Sequence, residues 1–517
     1  MRLIDYVEKG FRRRPDAAAF IDGDSTLSFR EADDLARRIG NGIQQRVGTD
    51  GARVAVYSPN DPMAFCCVLG IVHAGAAWVP VNMRNPVQVN AAFLKLTECE
   101  MLFYHGSLAP QVAEIVALAP SIRHCVRIDA AAQPGHEALE VFARNDGALV
   151  AIPDDPERVV TVFPTGGTTG LSKAALWTNR VLESAISAFW TSCPIDTPPV
   201  HLVAAPMTHG AGAVALMMMP EGVTNVILRR ADPVAIMEAI ERHRVTHMYL
   251  PPTLIYMILA HPEVRRYDYS SLRYLIIAAA PIAPSKLREA LDVFGPCVCQ
   301  SFGQAEAPML LTFLSTHDLL EADRSAKVDR FASCGRPTLQ VLVEIMDDEG
   351  RLLPPGEKGE IVARGDLVFP GYYRNPEATA EVSKFGWHHT GDIGFKDDEG
   401  FIYIVDRKKD MIITGGFNVF SAEVEQAVLG HPAVQDCAVV GVPDDKWGEA
   451  VKAVVELKAG QVATQEEIIA LVRDRLGPVS APKTVEFWQE LPRSPNNKVL
   501  KREIRQTFWP DQGRAVG

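Results

Sequence analysis

Phe163-Pro-Thr-Gly-Gly-Thr-Thr-Gly-Leu-Ser-Lys173 is the string in this 517-residue chain whose composition points most directly to chemistry. Its glycines let backbone N–H groups converge on one anion, and the hydroxyls of Thr165, Thr168 and Thr169 add donors, so the string can cradle a phosphate. The same composition also suits a flexible surface turn, and the residues by themselves leave both readings open. A Walker A loop is excluded, because it needs Gly-Lys-Ser/Thr in succession and here two residues separate Gly170 from Lys173. Other reactive residue types are less organised. His209, in Pro206-Met-Thr-His-Gly-Ala-Gly212, has no evident Asp partner that would make it part of a hydrolytic triad. The nine cysteines are scattered and odd in number. Cys297 and Cys299 stand too close for a zinc knuckle, so all nine read as reduced, buried thiols. Lys498 stands among Arg493, Lys501, Arg502 and Arg505, and alone reads as part of a solvated basic face.

The elements that must position these residues fall into three textures. Up to about residue 330, short apolar strands over 52–58, 76–81, 101–104, 126–128, 159–163, 201–205, 226–228, 247–250 and 274–278 alternate with helical stretches. One helix follows a capping box of Ser28 and Glu31 and puts Leu35, Ala36, Ile39 and Ile43 on one face; another spans 63–74. That alternation predicts an α/β body with buried sheets. Around Gln340 the pattern changes to period two over 340–346, followed by a strand over 359–365, which predicts a small antiparallel unit. From about Lys408 a third texture begins. Ser421 is expected to cap a helix, strands follow over 434–442 and 450–457, Thr464 and Glu467 form a capping box, and 484–488 reads as a last strand. The expected division is a large multi-lobed domain, 1–407, and a small α+β domain, 408–517, with the hinge in Asp406-Arg-Lys-Lys-Asp410.

Composition narrows the function classes. With 52 Lys and Arg against 64 Asp and Glu, the net charge is −12. The whole-protein field repels phosphates, which argues against a nucleic-acid partner while leaving room for a local basic pocket. The N-terminal stretch carries charge throughout, and no unbroken apolar run approaches the ~20 residues of a membrane span. A cytoplasmic protein without a transmembrane segment is expected, with monomer and homodimer both open.

Read together, the motifs become specific. The glycine-rich string resembles the signature loop of the adenylate-forming superfamily, which includes acyl- and aryl-CoA synthetases, luciferases and the adenylation domains of peptide synthetases. Further strings follow in that family's order over nearly the whole chain. Ala278-Ala-Ala-Pro281 resembles the adenine-binding strip, and Ser301-Phe-Gly-Gln-Ala-Glu306 the aromatic-Gly-x-Thr-Glu motif. Gly371-Tyr-Tyr-Arg-Asn-Pro376, Gly386-Trp-His-His-Thr-Gly-Asp392, Asp406-Arg-Lys-Lys-Asp410, Gly415-Gly-Phe-Asn-Val and Leu491-Pro-Arg-Ser-Pro-Asn-Asn-Lys498 complete the series.

The resemblance implies an ATP-dependent acyl-CoA synthetase, AMP-forming, with a mobile C-terminal lid. It would make an acyl-adenylate and pass the acyl group to coenzyme A. Site roles follow from it residue by residue. Thr165, Gly166, Gly167, Thr168, Thr169, Gly170 and Lys173 would hold ATP phosphates; Ala279, Ala280, Pro281, Ser301, Phe302, Gly303 and Ala305 would line the nucleotide. Glu306, with Thr165, would hold Mg²⁺, a use of one carboxylate that suits a cation retaining waters and phosphates. Asp392 and Arg407 would bind ribose or phosphate, and Gly416 would border the pantetheine tunnel. Lys498 would act on the adenylation transition state, His209 would orient the carboxylate, and Lys409 would be the hinge.

Several positions depart from the family pattern: Gly166 for Ser, Ser172 for Pro, Ala305 for Thr, Asn497 for Gly and Phe417 for Glu. Losing one hydroxyl at position 305 is worth ~1.5–3 kcal/mol, which makes a different enzyme and not a dead one. Met207, Ala211, Ala213, Val214, Leu216 and the stretch 276–280 offer no charge to pair a second carboxylate. An apolar aliphatic, aromatic or alicyclic acid is therefore expected, and fatty acid metabolism is one setting for it. The small residues beside His209 suggest room for bulk. Two alternatives stand beside this reading: an enzyme loading a carrier protein, and a non-catalytic nucleotide-binding regulator.

Overall fold

The computed structural model describes residues 1–145, 147–165, 172–321, 323, 325–493 and 499–509. It is α/β, and it divides into two compact units, Met1–Val343 with Ala363–His388, and Glu344–Val362 with His389–Gly517.

The first unit is built on two sheets. One has nine strands in the order Arg336–Pro337, Ala307–Leu314, Val298–Gln304, Tyr274–Ile277, His247–Leu250, Val200–Val203, Thr224–Ile227, Ala18–Asp22 and Ser25–Ser28. The other has seven, in the order Glu137–Ala138, His124–Arg127, Met101–Tyr104, Arg53–Tyr57, Ala77–Pro80, Val159–Pro164 and Ala174–Thr178. The interior pairs are parallel, as continuous apolar strands separated by helices require. Helix Phe29–Val47 begins at the expected capping box, with Ser28 Oγ accepting from the Glu31 N–H and the Glu31 carboxylate accepting from the Ser28 N–H. Helix Pro62–Ala74 is capped by Asp61, whose Oδ1 accepts from the Met63 N–H at 2.8 Å. Where the parallel order ends, each sheet turns back in an antiparallel hairpin: Val159–Pro164 with Ala174–Thr178, and Val298–Gln304 with Ala307–Leu314. All nine cysteines are free. Among the described residues, no helix is long and apolar enough to cross a membrane.

A third, five-stranded sheet includes Gly359–Gly365, Trp387–Lys396 and Ile402–Arg407. The C-terminal sheet of the second unit is built on the long antiparallel pair Val434–Asp444 and Gly448–Leu457, with Thr484–Trp488 parallel to the latter. Its strands alternate between two cores. Val439, Val451, Ala453 and Val455 pack with Val424, Val428, Ile468 and Val472 of helices Ser421–Leu429 and Gln465–Leu476. Ala438, Val440 and Val454 pack with Leu491 and with Ile504 of helix Lys501–Phe508.

Two sequence expectations fail here for the same reason. Ser421 does not cap its helix: it is buried as the first helical residue, and its hydroxyl donates to Asp406 Oδ2 at 2.8 Å. Nor do Arg493, Lys501 and Arg505 form a solvated face. Lys501 pairs with Glu425 at 2.7 Å and donates to Ser421 Oγ at 2.9 Å, Arg505 pairs with Asp410 at 3.2 Å, and Arg493 pairs with Asp436 at 2.8 Å. Each cation meets an acid far away in sequence, which local pattern cannot reveal.

Burial pushes the Glu425 carboxyl up, to about 7, and Lys501 only partly offsets that. The folded protein therefore keeps a proton there that the unfolded chain releases near the ordinary value of 4.5. Stability from that proton is full below the unfolded pKa and is lost as pH rises through the folded one. The melting temperature of the parent should fall relative to Glu425→Gln as pH is raised from 4.5 to about 7. Parallel melting curves across that window would contradict the assignment.

Candidate active site

The glycine-rich string opens from the first of the two hairpins. Pro164 lies opposite Ala174; the Thr165 N–H donates to the Lys173 carbonyl at 2.9 Å, and the Lys173 N–H donates to Thr165 Oγ1 at 3.2 Å. Both ends are thus pinned together over strand ends. Gly166, Gly167, Thr168, Thr169 and Gly170 lie outside the described residues, as does Lys498.

From this base a continuous chain of contacts runs through the first unit. The Lys173 ammonium sits 4.9 Å from the centre of the Tyr372 ring. The Tyr372 hydroxyl donates to Glu306 Oε1 at 2.5 Å. Glu306 and Ala305 form the tip of the second hairpin, and the Ala305 carbonyl accepts from Trp177 Nε1 at 2.6 Å. Trp177 stacks on Phe163 with centroids 4.3 Å apart, and Phe163 lies 4.8 Å from the His209 ring. Residues from five separate stretches of sequence are gathered beyond the C-terminal ends of parallel strands, where open α/β sheets place ligands.

The electrostatics of this cluster fix proton positions. Burial and then the Glu306 charge push the Tyr372 phenol well above its ordinary value, so it stays a donor at neutral pH. Burial pushes the His209 imidazole down to about 4. It is neutral at pH 7 and, among the described residues, has no side-chain hydrogen-bond partner; it can offer one donor and one acceptor to a ligand. Glu306 Oε2 likewise meets no donor among the described residues. No group of three or more His, Cys, Asp or Glu among them could hold a metal ion. A single open carboxylate oxygen fits a Mg²⁺ that arrives with phosphates and waters.

The adenine strip carries two further marks. Ala279 has φ +73, a left-handed conformation that costs an alanine energy and gathers at ligand sites. On the neighbouring parallel strand, Ser301 Oγ is buried without a partner. Gly303 has a packing reason: a Cβ there would lie 2.5 Å from the Met309 backbone, which bulges inward with φ +62. Ala280 and Pro281 are exposed, and Phe302 is half-buried.

In the second unit, Asp392 and Arg407 face each other across an antiparallel pair, with Nε 2.7 Å from Oδ1. Asp392 is 3% exposed, so the guanidinium neutralises an otherwise buried charge. Glu360 supports the same turn, accepting from the Gly391 N–H at 3.0 Å, from Lys408 Nζ at 3.1 Å and from His389 Nδ1 at 3.0 Å. Burial pushes the Glu360 carboxyl up, but His389 and Lys408 outweigh it and hold it below its ordinary value. Gly415 and Gly416 form the two-residue turn of hairpin Ile412–Thr414 and Phe417–Val419, with φ +58 and +81. That geometry demands glycine whether or not a ligand passes by. Phe417 beside it is 60% exposed.

The two glycines after His209 differ in the space around them. A Cβ on Gly212 would lie 1.9 Å from the Met207 carbonyl oxygen, so that glycine permits a tight turn of chain; only Gly210 faces open room. Sequence reading missed Trp177 and gave Tyr372 no role, although the string Gly371 to Pro376 had already been marked by its place in the motif order.

The profile of the AMP-binding enzyme family matches residues 7–373, and that of the AMP-binding enzyme C-terminal domain matches residues 423–498. The chain is 38% identical over 440 residues to the medium/long-chain-fatty-acid–CoA ligase FadD8 of Mycobacterium tuberculosis, covering 84% of this chain and 73% of that one. It is 36% identical over 506 residues to a feruloyl-CoA synthase of Amycolatopsis sp, covering 96% and 97%. Among solved structures, the amide bond synthetase McbA of Marinactinospora thermotolerans superposes with a TM-score of 0.88 at 28% identity, covering 98% and 100%. With profile matches over most of its length, full-length relatives and a shared architecture, the chain belongs to the AMP-binding enzyme family.

Proposed function

We propose that this protein is an AMP-forming acyl-CoA synthetase, which joins a largely apolar carboxylic acid to the α-phosphorus of ATP and then transfers the acyl group to coenzyme A. The observation that carries the reading is the single chain of contacts from Lys173 through Tyr372 to Glu306, set at the mouth of the glycine-rich string. Lys173 and the string's N–H groups bind phosphate oxygens. Glu306 presents one carboxylate oxygen to a divalent cation, which when bound offsets phosphate charge during attack. His209, uncharged, orients the acid by hydrogen bonding without holding a fixed ion pair that would favour the unreacted carboxylate. Asp392 and Arg407 are assigned to the ribose, Lys498 to the charge that develops during adenylation, and residues 408–517 to a lid that turns at Lys409 between the two half-reactions. FadD8 and feruloyl-CoA synthase support an apolar acid, aliphatic or aromatic, and the nine free thiols support a cytoplasmic setting.

Incubation with ATP, Mg²⁺ and a good acid, without coenzyme A, should yield enzyme-bound acyl-AMP and pyrophosphate; ADP and phosphate as products would sink the proposal. Two variants should then part the half-reactions. Lys498→Ala should slow adenylation by about a hundredfold and largely spare thioester formation from synthetic adenylate. Lys409→Pro, which fixes φ near −65°, should do the reverse, with thioester formation down by at least about tenfold. Equal losses in both steps for either variant would remove its assigned role.

A further inference from the structure

The string Gly371 to Pro376 enters the proposed chemistry only as the Tyr372 link between Lys173 and Glu306, yet it is fastened more firmly than a surface turn needs. The Leu176 N–H donates to the Gly371 carbonyl at 3.1 Å, and the Tyr373 N–H donates to the Ala174 carbonyl at 2.8 Å. These bonds lay the string along the strand that leaves the glycine-rich loop. On its other side, Thr379 Oγ1 accepts from the Tyr372 N–H at 2.9 Å, and Asn375 caps helix Pro376–Glu381. The Phe369 N–H donates to the Glu306 carbonyl at 2.8 Å, and the Phe369 ring meets the Tyr372 ring edge-on at 4.8 Å. Tyr372 is therefore buried and held at its backbone, at its ring and at its hydroxyl.

We infer that Tyr372 is a positioning residue for the divalent cation: its hydroxyl occupies Glu306 Oε1, so that the carboxylate has one oxygen to offer, while its ring face holds the Lys173 ammonium beside it. This rests on the proposed function, in which Glu306 holds the cation of Mg-ATP. The chemistry is specific to a small ion. Mg²⁺ requires near-octahedral geometry and sheds water reluctantly, so one fixed carboxylate oxygen suits it better than a two-oxygen chelate, which suits larger Ca²⁺. Groups that hydrogen-bond a ligating carboxylate commonly change metal affinity by 10–100-fold. One phenol thus sets the geometry of the anion that takes the cation and of the cation that takes phosphate.

Tyr372→Phe tests this in the full chain, since it removes one oxygen and keeps the ring under Lys173. Mn²⁺ serves as the paramagnetic probe, with its free concentration read by electron paramagnetic resonance in the presence of α,β-methylene-ATP. Mn²⁺ affinity should fall by about tenfold or more, and the Mg²⁺ concentration for half-maximal adenylate formation should rise in step. Thioester formation from synthetic acyl-AMP and coenzyme A, which needs no cation at Glu306, should stay within about twofold of the parent. Unchanged Mn²⁺ affinity, or equal losses in both half-reactions, would overturn the inference. A parent protein that forms no adenylate would instead overturn the proposed function, and the Mn²⁺ measurement is read without it.

Discussion

The antiparallel pairing of Val159–Pro164 with Ala174–Thr178 is the interaction on which the arrangement of the first unit depends. It closes the glycine-rich string at its base, where Thr165 and Lys173 are hydrogen-bonded to each other. Its second strand is buried at Ala174 and Ala175, and a buried strand edge cannot leave its N–H and C=O groups unpaired. The string Gly371 to Tyr373 covers that edge, and by doing so carries the Tyr372 hydroxyl to Glu306. The same strand sends Trp177 to the Ala305 carbonyl, fixing the turn that bears Glu306. Each bond is modest, about 0.5–1.5 kcal/mol net. Their joint effect is geometric: the base of the glycine-rich string, the Lys173 ammonium and the Glu306 carboxylate share one support.

A chain of net charge −12 must place its cations locally to bind a polyanion, and the second unit shows how it keeps buried acids from working against that. Asp392 is met by Arg407, Glu360 by Lys408 and His389, Glu425 by Lys501, and Asp410 by Arg505. Breaking the pair at Asp392 or at Glu360 would leave a buried charge uncompensated. The turn Asp406 to Asp410 is exposed at 407–409 and tied at both ends: Asp406 accepts from Ser421 Oγ, and Asp410 pairs with Arg505. Arg505 Nη1 also donates to the Lys409 carbonyl at 3.4 Å. Helix Lys501–Phe508, which follows Lys498 in sequence, is thereby attached to the turn through Arg505, while Lys501 reaches Ser421, the partner of Asp406.

What was legible in the sequence is what local physics decides. Strands such as 101–104 and 247–250 were readable because buried parallel strands must be continuously apolar, and the helix after Ser28 because its capping box is a local hydrogen-bond exchange. The string Ser301 to Glu306 stood out partly through its glycine, and Gly303 against the Met309 backbone shows why glycine sits there. The illegible parts are settled by partners distant in the chain. Ser421 has the right residue type for a cap, but a buried acid fifteen residues earlier in sequence takes its hydroxyl. Lys501 looks solvated until Glu425 is seen. Tyr372 is 66 residues from Glu306, and no periodicity relates them; only the order of motifs hinted that its string mattered. Among the small residues beside His209, Gly212 is in close contact with the Met207 carbonyl, a partner that residue size alone does not reveal.

The central claim is that the substrate carboxylate itself attacks the α-phosphorus of ATP at the site supported by Glu306 and Lys173. Its most direct test is an oxygen tracer. With the acid labelled by ¹⁸O in both carboxylate oxygens, complete turnover with ATP and coenzyme A should leave one ¹⁸O in AMP and none in pyrophosphate, read by mass spectrometry. Label recovered in inorganic phosphate with ADP as the nucleotide product, or AMP free of label, would contradict it.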